Sequence, residues 1–261
     1  MRIFIGLFLS GSIMAFASMG VLFIYSRRIQ KASIVDPGWA GLIAFLGLYF
    51  AVLAGGYSLR CFLAAVMAVF WGTRLSFYIL FCKVIGRPED GRYLKLLSNW
   101  GENSNKKLFE FYMLQALVAL LFAIPFLIIS MNTHPGLHLS EWAAFMLWLI
   151  ALLGESAADI QLEVFKRKSG DKSKTCREGL WRYSRHPNYF FEFIHWCAVA
   201  FFALSSPGGF FALACPALIL YFLFKVTGIP KTEEQALRTR GDDYREYQRT
   251  TNAFFPGKPK V

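Results

Sequence analysis

Charge is what this chain has least of. Asp, Glu, Lys and Arg make up 17% of its 261 residues, against about a quarter in an ordinary soluble domain. The acids are the scarcer sign, 17 against 28 Lys and Arg. So little charge excludes a disordered, self-repelling chain. The five cysteines, Cys61, Cys82, Cys176, Cys197 and Cys215, are odd in number and dispersed, without CxxC spacing. That excludes a disulfide scaffold and gives no zinc site, and no metal is expected. Internal repeats and low-complexity tracts are not evident, and no stretch of about 100 residues is left over for a separate soluble domain.

What is present is apolar: 56% of residues, 17% of all residues being aromatic, with a mean hydropathy of +0.41. The net charge of +11 would suit a nucleic-acid coat, but the apolar runs are too long for a soluble surface, so no nucleic-acid partner is expected. A bilayer core needs roughly 20 mostly apolar residues per helix. Seven stretches qualify, at residues 3–26, 38–59, 61–81, 109–131, 142–161, 189–204 and 210–227, the second open to a break at Gly55-Gly56. The expected fold is all-α, one seven-helix membrane domain over residues 1–261, with turn-forming sequences such as residues 205–209, SSPGG, joining helical hairpins.

The basic residues give the orientation. Of the 28 Lys and Arg, 25 fall in the connections after the first, third, fifth and seventh spans, leaving Arg2 and Arg60 opposite and Arg74 within a span. The positive-inside rule then places the N-terminus outside and the C-terminus in the cytosol. A cleaved signal peptide is disfavoured: the first apolar run exceeds the usual length of about 7 to 15 residues and Arg27-Arg28 closes it.

Ionisable groups at membrane depth are costly and tend to mark function. Glu155, Asp159 and Glu163 recur at i, i+4 and i+8 at the end of the fifth span, with Lys166 near the same face. For Glu163 and Lys166 a solvated helix end explains as much. Asn188 and Glu192 stand at i and i+4 as the sixth span begins, with His195 one turn further. A carboxamide beside a carboxylate can donate to and accept from a ligand amide such as that of nicotinamide. Just before them, residues 179–192 read GLWRYSRHPNYFFE. Arg182, Tyr183, Arg185, His186 and Tyr189 make a basic, aromatic loop that abuts a helix start, suited to nucleotide phosphates or to headgroup anchoring; composition alone favours neither. Arg74, a guanidinium placed inside a span, needs a partner such as Glu155 or Asp159. Asp36, before Pro37, is either an N-cap or an acid facing a membrane cavity.

The run 179–192, with Gly228-Ile229-Pro230, Tyr247 and Phe254-Phe255-Pro256, resembles the steroid 5-alpha-reductase family, and more closely its bacterial membrane branch. The resemblance implies a seven-helix reductase of the bacterial inner membrane that binds NADPH from the cytosolic side. Its substrate would be an apolar 3-oxo-4-ene steroid or similar enone drawn from membrane lipid, with no obligatory protein partner. It carries a nicotinamide-binding role to Asp159, Asn188 and Glu192, and a cofactor-binding one to Arg87 of Arg87-Pro88 and to Lys166. The carbonyl-gripping Glu and Tyr of the eukaryotic members have Asp36 and Trp71 at their places here, with Tyr78 two turns on; these three are the candidate catalytic residues. An RHPxY element also resembles isoprenylcysteine and phospholipid methyltransferases, which implies S-adenosylmethionine as the alternative cofactor.

Overall fold

The computed structural model describes residues 2–171, 173–226 and 228–260. Lys172 of the charge count and Thr227, the expected end of the last span, lie outside the described residues, as do Met1 and Val261. Among the described residues every regular element is helical. Nine α-helices run in chain order: α1 Arg2–Ile29, α2 Val35–Leu53, α3 Ser58–Ile79, α4 Gly91–Trp100, α5 Ser104–Ser130, α6 Leu139–Ser169, α7 Pro187–Ala203, α8 Ala214–Tyr221 and α9 Ile229–Thr250.

Among the described residues six segments are long and apolar enough to cross a bilayer: Arg2–Ile29, Ala32–Leu53, Ser58–Val84, Gly91–Ser130, Leu139–Ser169 and Gly209–Thr250. The sixth expected span, residues 189–204, is α7, which has 17 residues and is outside those six. The second expected span ends early, at Leu53 rather than residue 59. Gly55 takes a positive φ of 72°, which costs a residue without a Cβ little. At Gly56 a Cβ would run into the Ser130 carbonyl oxygen, and the Tyr57 N–H donates to the Asn132 carbonyl at 2.9 Å. The glycine pair therefore ends α2 and lets the turn lie against the end of α5.

The chain forms two compact units, Met1–His138 with Ala203–Gly209, and Leu139–Phe202 with Phe210–Val261. In the first, α2 is the central helix and buries residues on most of its circumference, while α1 buries only the stripe Leu7, Gly11, Ala15, Met19 and Ser26. Antiparallel α2 and α3 pack backbone to backbone. A Cβ at Gly47 would strike Ala68 and one at Gly72 would strike the Ala40 carbonyl, and the Ser76 hydroxyl donates to the Pro37 carbonyl at 2.8 Å. Buried Arg60 closes the far end, donating to the carbonyls of Asn132, His134 and Gly136 in the loop that follows α5.

In the second unit α6 buries Glu141, Ala144, Trp148, Ala151, Glu155, Ala158 and Asp159, one stripe at helical spacing. A Cβ at Gly154 would collide with the Phe191 ring, so glycine there permits close approach of α7. The amphipathic α9 breaks at Gly241, whose φ is 53°, and packs through Ala236, Leu237, Tyr244 and Tyr247. All five cysteines are free thiols.

Candidate functional site

The polar groups gather into two clusters in the second unit and one in the first. On α6, Glu155 and Asp159 are both buried, and the Asn188 Nδ2 donates to Asp159 Oδ1 at 3.3 Å. Helix spacing puts half-buried Glu192 one turn beyond Asn188. The segment before α7 is fixed to the same stretch of α6: the Trp181 indole N–H donates to the Ala158 carbonyl at 2.9 Å, and the Leu180 N–H to Gln161 Oε1 at 2.9 Å. Gly179, with φ 56°, leaves room for the Gln161 carboxamide, which a Cβ would strike. Asp159 and Asn188, 29 positions apart in the chain, are thus brought into contact.

The second cluster surrounds Glu233 of α9. Its carboxylate accepts from Arg185 Nε at 2.7 Å, His186 Nε2 at 3.1 Å and Gln248 Nε2 at 2.7 Å. Arg185 Nη1 also donates to the carbonyls of Gln248 and Thr251 at the end of α9. The His186 ring stacks on Tyr189 at 5.3 Å, and the His186 carbonyl accepts the first bond of α7, from the Phe190 N–H, with Pro187 at the position a helix start favours. Burial pushes the His186 pKa below its ordinary value, more than the pull of Glu233 restores, so the ring is neutral and donates from Nε2. The Tyr247 hydroxyl donates to the carbonyls of Trp181 and Ser184.

Arg185, His186 and Tyr247, expected to hold a cofactor, therefore hold the C-terminal helix. Glu233, Gln248 and Gln161 are the residues that sequence reasoning missed: α9 also carries Glu234, Asp242, Asp243 and Glu246, and nothing local singles out Glu233. Of the remaining expected phosphate ligands, Arg182 and Tyr183 are exposed. Lys166 pairs with Glu163 at 2.6 Å near solvent, as the solvated helix-end reading has it.

In the first unit Asp36 lies within the first turn of α2. Its Oδ1 accepts from the Tyr93 hydroxyl at 2.6 Å and its Oδ2 from Arg92 Nη2 at 3.1 Å. Glu89 accepts from the backbone N–H groups of Ala32 and Ser33, and Lys31 donates to the carbonyls of Val84 and Arg87, so the two connections are stapled together. Asp90, which N-caps α4, is pushed up by burial, yet its bonds from Arg92 outweigh that and hold the carboxyl below its ordinary pKa.

The α2/α3 register, with Pro37 against Ser76, sets Asp36 near the level of Tyr78. Tyr78 lies under the Lys83 ammonium, 5.2 Å from its ring centre. Trp71, fully buried, meets Trp39 edge-on at 6.2 Å, half-buried Arg74 follows one turn later on α3, and the Arg87 side chain is exposed. Arg92 and Tyr93 were not anticipated as partners of Asp36; an Asp-x-Arg-Tyr sequence at a helix start was the available signal.

The model of the family described as "Protein of unknown function (DUF1295)" matches residues 22–251. No curated protein and no solved structure matches the chain.

Proposed function

We propose that this chain, which belongs to the DUF1295 family, is a multi-pass membrane reductase of the steroid 5-alpha-reductase type, with its N-terminus outside and its C-terminus in the cytosol. It would use NADPH to saturate the double bond of a 3-oxo-4-ene steroid or similar apolar enone. The observation that carries the reading is the partly buried contact between Asp159, itself buried on α6, and half-buried Asn188 on α7. A carboxylate and a carboxamide there, with Glu192 one turn on, match the donors and acceptors of a nicotinamide carboxamide. Together they would fix one orientation of the ring. When bound, NADPH supplies the hydride that ends on the β carbon of the enone.

The protein's part is to hold the substrate carbonyl and the charge that forms on it. As the new C–H bond forms at the β carbon, the electron pair of the C=C bond moves toward the carbonyl oxygen. The resulting enolate takes a proton at the α carbon and the carbonyl is restored. A donor on the enolate oxygen contributes most in a water-poor site. Both carboxylate oxygens of Asp36 are already engaged, by Tyr93 and Arg92. We assign the donor role to Tyr78, near Asp36 in the α2/α3 register. Arg182 and Lys166 are the cations of the second unit offered to the phosphates, since Arg185 and His186 are engaged by Glu233.

Two measurements test this. Purified protein with NADPH and a 3-oxo-4-ene steroid is expected to consume reduced cofactor and give a saturated product. NADPH, and not S-adenosylmethionine, is expected to raise the melting temperature by binding the folded state. Asn188→Ala is expected to lower turnover about a hundredfold through misplacement of the ring. Stabilisation by S-adenosylmethionine alone would transfer the site to the methyltransferase class.

A further inference from the structure

We infer that a cleft between α1 and α2 holds one acyl chain of a membrane phospholipid, with the lipid phosphate at the basic end of α1. The cleft has a volume of 280 Å³ and is lined by Ser18 and Leu22 on α1 and by Gly38, Gly41, Leu42 and Phe45 on α2. The α2 positions recur at i, i+3, i+4 and i+7, one face of the helix. Gly38 leaves room beside α1 that a side chain would take: a Cβ there would strike Leu22.

The cleft opens outward. Ser18 and Phe45 are exposed, and the surface around them on α1 carries exposed Ile13, Phe16 and Val21. Both walls belong to segments long and apolar enough to cross a bilayer, so what fills the cleft is drawn from the bilayer. Water would find too few polar partners along those walls to stay. The α2 lining runs from Gly38 to Phe45, about 10 Å of helix axis, which suits an extended alkyl chain.

The second observation is charge. Arg27 and Arg28 lie in the last turn of α1, about 8 to 9 Å along the axis from Leu22. Guanidinium groups at that height above an acyl chain meet the phosphate, and basic residues at the end of a span favour anionic lipid. The inference stands apart from the reductase reading.

The test is photo-crosslinking of the full-length protein in nanodiscs of phosphatidylcholine and phosphatidylglycerol. A phosphatidylglycerol with a diazirine in its acyl chain is the probe, and labelled peptides are mapped by mass spectrometry. Label is expected to be several-fold denser on residues 18–22 and 38–45 than on the exposed apolar face of α5 around Leu114 and Leu117. Ser18→Phe, which fills the cleft from its exposed edge, is expected to bring it down to the α5 level, and so is Gly38→Ala. Replacing Arg27 and Arg28 by Gln is expected to lower labelling by phosphatidylglycerol more than by a phosphatidylcholine probe. Labelling in proportion to exposed area, or enrichment that survives both cleft variants, would overturn the proposal. So would displacement of the label by a 3-oxo-4-ene steroid, which would assign the cleft to the enone.

Discussion

In the first unit Asp36 meets Arg92 and buried Tyr93 where the Arg92 and Asp36 side chains are 40% and 27% exposed. In the second, Glu233 meets Arg185, His186 and Gln248 with Arg185 and Glu233 only 11% and 14% exposed. Both are carboxylate-centred clamps that tie a connection to a helix. The difference in burial decides what each contributes. An exposed pair gains little because water and salt screen it. A buried one adds little over an apolar contact but is costly to break, since the remaining partner keeps its charge without compensation. The Glu233 cluster is thus a fastening that the second unit cannot readily lose, whereas the Asp36–Arg92 ion pair can be loosened at small cost.

The sharpest way to break this contrast is Glu233→Ala, which strands buried Arg185 and is expected to destabilise the protein by about 3 to 5 kcal/mol, read as a large fall in thermal midpoint in detergent. A loss as small as that of an exposed pair would place the Glu233 cluster in the same class as Asp36. Tyr93→Phe removes one hydrogen bond to a carboxylate that retains Arg92, and about 1.5 to 3 kcal/mol is expected. Raising ionic strength from low to high should erode the contribution of Arg92 and Asp36, measured by a double-mutant cycle, more than that of Arg185 and Glu233.

The pH response separates the clusters further. His186 is held below its ordinary pKa by burial, so the unfolded chain takes up the proton first. Stability is full above about pH 6.5, the unfolded value, and falls as the pH drops below it toward the folded pKa. Melting curves between pH 7 and pH 5 are expected to show that fall, and His186→Gln, which can still donate to Glu233, to flatten it. Lys166→Ala should have the smallest effect, within about 0.5 kcal/mol, because the Lys166 side chain is itself 45% exposed and its partner Glu163 is an i,i+3 neighbour.

Much of the site was legible in the sequence where chemistry follows helical period. Asp159 four residues from Glu155, and Asn188 four from Glu192, needed only the period of a helix to share a face, and the structure joins Asp159 to Asn188. Arg182, Arg185 and His186 looked equivalent as a basic run. Only the return of α9 separated them, engaging Arg185 and His186 while Arg182 stays exposed. Asp36 was recognised as unusual, but its partners lie 56 and 57 positions away, beyond the reach of any local pattern.

The sequence by itself determined that the chain is helical and apolar, approximately where its helices lie, and which carboxylates would sit within apolar runs, because hydropathy and helical period are local properties. It did not decide whether the second span breaks at Gly55-Gly56, as it does with α2 ending at Leu53. Nor did it say which of several equivalent Arg and Glu residues pair. Those were decided by tertiary structure: close approach at Gly56 and Gly154 depends on what lies opposite, and a buried carboxylate takes its partners from whichever distant segment the fold brings within hydrogen-bonding distance.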